Sequence, residues 1–189
     1  MSDLHHKADK FIQTAPYCEI IRTHGHLYFT GSYFLKTMTW HDIDMQLSLN
    51  QDQEAREVLG TISAALIKGK GIKKLKYIDF LNYPRPPMTS GFCVSFTAFD
   101  EAIKDFWKID LWVLEPSLLQ ENQKFMHHLK ERMTPEHHTL IMAFKNEWTT
   151  LYGRPPKMAS YYLYQAVIFE NLKERQQIET YLRSRGVEI

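Results

Sequence analysis

GSYFLKTMTWHDIDMQLSL, residues 31 to 49, is the stretch on which the reading of this chain turns. From residue 42 it alternates, with Asp42, Asp44, Gln46 and Ser48 set against Ile43, Met45, Leu47 and Leu49. That is the period of a half-buried strand. Successive strand side chains point to opposite faces, so Asp42 and Asp44 share one. Nine residues separate them from the pair Gly31-Ser32. A glycine lets backbone come close to a phosphate, and the Ser32 hydroxyl, with the following amides if Ser32 opens a short helix, can donate to phosphate oxygens. Lys36, one turn on, adds positive charge.

Working outward, residues 92 to 99 (FCVSFTAF) and 107 to 113 (WKIDLWV) alternate in the same way, residues 74 to 82 (KLKYIDFLN) do so more weakly, and a further strand ends at Gly31. Asp110 is bracketed by Ile109 and Leu111 as Asp44 is by Ile43 and Met45. Three carboxylates projecting from neighbouring apolar strands repel one another and raise each other's pKa unless a cation is bound. Hard oxygen ligands in that arrangement suit magnesium. Two such ions, about 3.5 to 4 Å apart, can hold the attacking and leaving oxygens of an in-line phosphoryl or nucleotidyl displacement.

Helix signals dominate the rest. Asn50 with Gln53 and Ser117 with Gln120 have the spacing of capping boxes, and Thr134 followed by Pro135 supplies an N-cap and an N1 proline. Helices are expected over 51–67, 118–131 and 135–151, then one or two more beyond YGRPP (152–156), closed by Gly186, after a short amino-terminal helix. The order predicts an α+β chain: a mixed sheet with flanking helices over 1–116 and a helical region over 117–189.

The 189 residues carry 23 basic and 22 acidic side chains, so no global field draws the chain to nucleic acid or an anionic membrane. No apolar run is long enough to span a bilayer, and MSDLHHKADK lacks the apolar core of a secretory signal. A cytoplasmic protein is the expectation. Cys18 and Cys93, far apart and only two, point to reduced thiols.

The Gly31-Ser32 pair, the nine-residue spacer, Asp42-Ile43-Asp44 and the later Ile109-Asp110-Leu111 together resemble the signature of the DNA polymerase beta-type nucleotidyltransferase superfamily. The resemblance covers about residues 26 to 114; HDIDM and the helical tail are similar in style to the small lincosamide and aminoglycoside nucleotidyltransferases. A departure is the bulky YFLKTMTW after Gly-Ser, where many members have a small residue or an arginine. The resemblance implies a nucleotidyltransferase-like fold. It implies that Asp42, Asp44 and Asp110 bind magnesium, two ions in the family pattern, with Asp110 also serving as base. Gly31, Ser32 and Lys36 would then hold a nucleoside triphosphate, and the acceptor would be a hydroxyl on a small molecule. Nucleic acid is disfavoured, while a homodimer stays open. Two alternatives remain: transfer to a protein or a transfer RNA, as in small toxin-antitoxin members, and nucleotide binding without turnover.

Other features read as structural. KGKGIKKLK (68–76), with five lysines, is a solvated helix end before it is a phosphate contact. His41 points away from the aspartates along a strand. His127-His128 and His137-His138 diverge on their helices and lack the spacing of a zinc site. Tyr161, Tyr162, Tyr164 and Phe169 fit a helix core better than a base-stacking platform.

Overall fold

Each alternating run is a strand in the computed structural model, which describes residues 3–86 and 88–189. The strands are β1 (Gly25–Thr30), β2 (Asp42–Leu49), β3 (Ile72–Asp79), β4 (Phe92–Asp100) and β5 (Asp105–Val113). They form one sheet in the order β1-β2-β5-β4-β3. Only β2 and β5 run parallel; the other neighbours are antiparallel, so the sheet is mixed and the chain is α+β.

One face of the sheet carries the core. Ile43, Met45 and Leu47 of β2 and Trp107, Ile109 and Leu111 of β5 are fully buried there. They pack with helices α1 (Asp3–Thr14), α2 (Pro16–Arg22) and α4 (Ala55–Lys68), through Phe11, Ile21, Leu59 and Ile62 among others. Helix α3 is a single turn, Gly31–Phe34, between β1 and β2. On the other face, Cys93 and Trp112 meet Leu114 and Leu119, the last from α5 (Pro116–Arg132), while Gln123 of α5 donates to the buried Gln46 of β2.

The helix starts differ from expectation in two places. Helix α4 begins at Ala55 with no side-chain cap, because Asn50 is used elsewhere: its amide side chain donates to Thr23 O at 3.3 Å and its N–H to His24 O at 3.0 Å. Helix α5 begins at Pro116, placing Ser117 inside the first turn. At α6 (Pro135–Tyr152) the expectation holds: the Thr134 hydroxyl accepts from His137 N at 3.1 Å, and the His137 ring closes the box. The weaker run is shifted: β3 spans Ile72–Asp79 rather than 74–82.

The chain divides into two compact units, up to Lys124 and from Phe125 onward. Within the second, α6 is followed by α7 (Ala159–Tyr164), a π-helical turn (Gln165–Phe169) and α8 (Arg175–Ser184). Arg175 pairs with Glu147 of α6, its guanidinium 4.7 Å over the Phe144 ring, and Lys145, 1% exposed, donates to the Tyr164 hydroxyl at 3.0 Å. Gly186 follows α8 in the left-handed conformation, φ 75°, as a closing residue. Among the described residues no helix is long and apolar enough to cross a membrane.

Candidate active site

The parallel pairing of β2 with β5 sets the register of the acids. Asp44 lies directly opposite Asp110, and Asp42 opposite Lys108. Paired residues on adjacent strands share a face, about 5 Å apart, so four charged side chains meet on the face opposite the core. Lys108 sits among the acids. Its Nζ donates to Asp42 Oδ1 and to Asp110 Oδ2, each at 2.8 Å. Water screens these pairs poorly, since the Asp42 and Asp110 side chains are only 14% and 19% exposed. Burial alone would lower the Lys108 pKa, yet the fields of Asp42, Asp110 and Asp44 outweigh it and hold the ammonium well above its ordinary value. Lys108 is therefore a permanent cation at this site.

Two local features mark the site. Asp110 Oδ1 is buried and accepts no hydrogen bond, although a buried carboxylate oxygen left unmatched is costly. Gly31 has φ +60°, and a Cβ there would collide with Asp44 Oδ2. Only glycine combines that backbone with that approach. Helix α3 starts at Gly31, one residue earlier than expected, and the Ser32 carbonyl accepts from Thr37 N at 2.9 Å, which folds the turn back toward β2.

The remaining residues sort by position. Lys36 closes the turn after α3 with φ 58°, and its charge acts on His5 of α1. His41 turns to the core side: its Nδ1 is 3.2 Å from Asp105 Oδ2, its ring 4.6 Å from that of Trp107, and its carbonyl accepts from Lys108 N. Lys73, Lys74 and Lys76 stand exposed on the edge strand β3, two strands from β5, where charges discourage edge pairing. His128 packs edge-on against Phe169. Tyr164 is buried, whereas Tyr161 is 41% exposed. A cavity of about 750 Å³ opens at the far ends of β2 and β5, beside Asn50, Arg56 and Glu115, away from the acids.

Sequence reasoning missed Lys108. Its signal was the period-two spacing Lys108-x-Asp110, which puts the ammonium on the acids' face. Among the described residues no three His, Cys, Asp or Glu side chains are gathered into a preformed metal cage. The ammonium spaces Asp42 from Asp110. The donor set still fits a hard dication, because three carboxylates and one ammonium leave two negative charges and an unmatched buried oxygen.

No family model and no curated protein matches the sequence. Solved structures do. The GLD-2/RNP-8 complex aligns at a TM-score of 0.57 and 16% identity, over 97% of this chain and 69% of that one. The Cid1 poly(U) polymerase bound to MgATP aligns at 0.55 and 10% identity, over 79% and 44%. A cytoplasmic RNA terminal U-transferase aligns at 0.55 and 11%, over 89% and 47%. The chain thus spans less than half the length of the last two. These likenesses establish the fold: a mixed five-stranded sheet with flanking helices, like that of the nucleotidyltransferase structures it aligns with.

Proposed function

We propose that the chain is an enzyme that transfers a nucleoside monophosphate from a magnesium-bound nucleoside triphosphate to a hydroxyl. The observation that carries this reading is the register of β2 on β5, which ranges Asp42, Asp44 and Asp110 on one face with Gly31 against Asp44. The fold supports it, and one structure of that fold is described as bound to MgATP.

In this reading Asp42, Asp44 and Asp110 would hold the magnesium, which when bound would offset the charge of the triphosphate and of the leaving pyrophosphate. Gly31 admits the phosphates and the Ser32 hydroxyl donates to them; Lys36 adds charge at the turn. Asp110 Oδ1, buried and without a donor, takes the proton of the attacking hydroxyl. Pyrophosphate leaves as the new phosphodiester forms. The near-cancelling charge, 23 basic against 22 acidic residues, favours a small hydroxylated acceptor, in the style of the antibiotic nucleotidyltransferases. A second reading has an RNA 3′ hydroxyl as acceptor. It is favoured by the fold neighbours described as a poly(U) polymerase and an RNA terminal U-transferase.

The test is pyrophosphate release from each nucleoside triphosphate with magnesium, against a panel of aminoglycosides, lincosamides and short RNAs. Release that needs one acceptor and is lost in Asp42→Asn supports the reading. No release with any pair, or release that Asp42→Asn leaves intact, overturns it.

A further inference from the structure

We infer that Lys108 is the resident counter-ion of the carboxylate cluster, and that a divalent ion enters by exchange with its ammonium. This rests on the reading of Asp42, Asp44 and Asp110 as metal-binding acids and adds how that site is loaded.

The two oxygens that Lys108 occupies, Asp42 Oδ1 and Asp110 Oδ2, belong to acids on different strands, so the ammonium ties β2 to β5 at the point where a dication would. Magnesium needs oxygens at about 2.0–2.1 Å in near-octahedral array. An ammonium 2.8 Å from two of those oxygens stands in its way. Like charges that close in a poorly hydrated site cannot both stay. The two remaining negative charges keep metal entry favourable, and the buried Asp110 Oδ1, which no donor claims, adds to the uncompensated charge. The lysine has somewhere to go: its Nζ already lies 5.5 Å from the Trp40 ring centroid, and the indole face accepts a cation. Lys108 thus keeps the acids assembled in the metal-free protein and weakens metal binding by competing for them.

A purely structural strut predicts the opposite sign, since removing it lets the acids splay and weakens metal binding. Calorimetric titration of Mn2+ into the full chain, without nucleotide, separates the two. Lys108→Met is expected to bind Mn2+ about tenfold tighter than the parent, the scale of removing one like charge a few ångströms from the ion, and to melt at a lower temperature only when metal is absent. Lys108→Arg, which keeps the charge, stays near the parent affinity. Should Lys108→Met fail to fold, amine acetylation mapped by mass spectrometry on the unaltered chain gives the same answer: Lys108 labelling rises on adding Mn2+. Equal or weaker Mn2+ binding in Lys108→Met, or labelling indifferent to metal, overturns the exchange while leaving the metal site standing. Absence of saturable Mn2+ binding in the parent chain, or binding that Asp42→Asn does not weaken, removes the metal site itself.

Discussion

Asp110 is the side chain from which most follows. It faces Asp44 across the parallel ladder, shares the Lys108 ammonium with Asp42, and keeps one buried oxygen unmatched. Asp110→Asn keeps the shape and removes the proposed base, so transfer should fall by about 10²- to 10⁴-fold while the far-ultraviolet dichroism stays unchanged. Gly31→Ala acts by geometry: its φ of +60° strains an alanine, and the new Cβ would push the Asp44 carboxylate aside. The left-handed backbone alone costs about 1–2 kcal/mol, and denaturant melts should register that loss together with weaker nucleotide binding. The two thiols make a pH prediction. Burial pushes Cys18 up from 9.0 to about 11, and burial with the fields of Asp110 and Asp44 raises Cys93 further. A thiol that keeps its proton when folded and loses it when unfolded stabilises the fold below pH 9 and stops doing so as pH climbs from there through about 11. Iodoacetamide at pH 8 should therefore leave both thiols untouched until denaturant is added. The acids and the glycine were legible because strand period and spacing are local facts. Lys108's contact with Asp42 was not, since it depends on β5 pairing with β2 in one register out of several.

Among the elements, the strands were the most readable. One face of β2, β4 and β5 is buried under α1, α2 and α4, so the alternation is complete in β2, is interrupted in β4 and β5 where Cys93 and Trp112 pack on the other face, and is loose in the exposed edge strand β3. Trp107 anchors the buried side: it is 0% exposed, stacks on Phe11 at 5.3 Å and donates its indole N–H to Asp100 Oδ2 at 2.9 Å. Trp107→Ala should cost about 3–5 kcal/mol in urea titrations. Helix starts were less readable, because a capping side chain can be claimed by another partner. Asn50 went to the turn that leads into β1, whereas Thr134 caps α6 as its sequence suggests. Thr134→Ala should lower stability by about 1 kcal/mol, read as a shift of the urea midpoint without a change of slope.

At the scale of the whole molecule, charge balance bears on the acceptor. A chain with formal net charge +1 has no broad basic field to hold a polynucleotide. With a small hydroxylated acceptor, raising salt from 50 to 200 mM should change the rate by no more than about twofold, whereas an RNA acceptor held through several phosphates loses orders of magnitude in affinity over that range. The acceptor stayed illegible because it is recognised by surfaces whose residues carry no fixed spacing. The proposed triphosphate and metal site is legible because two strands and a turn fix the residues that compose it. Its most direct measurement is a crystal grown with Mn2+ and a non-hydrolysable nucleoside triphosphate. An anomalous manganese peak bounded by Asp42, Asp44 and Asp110, with the triphosphate against Gly31 and Ser32, is the predicted result; manganese or nucleotide bound elsewhere, with Lys108 still bridging Asp42 and Asp110, would contradict it.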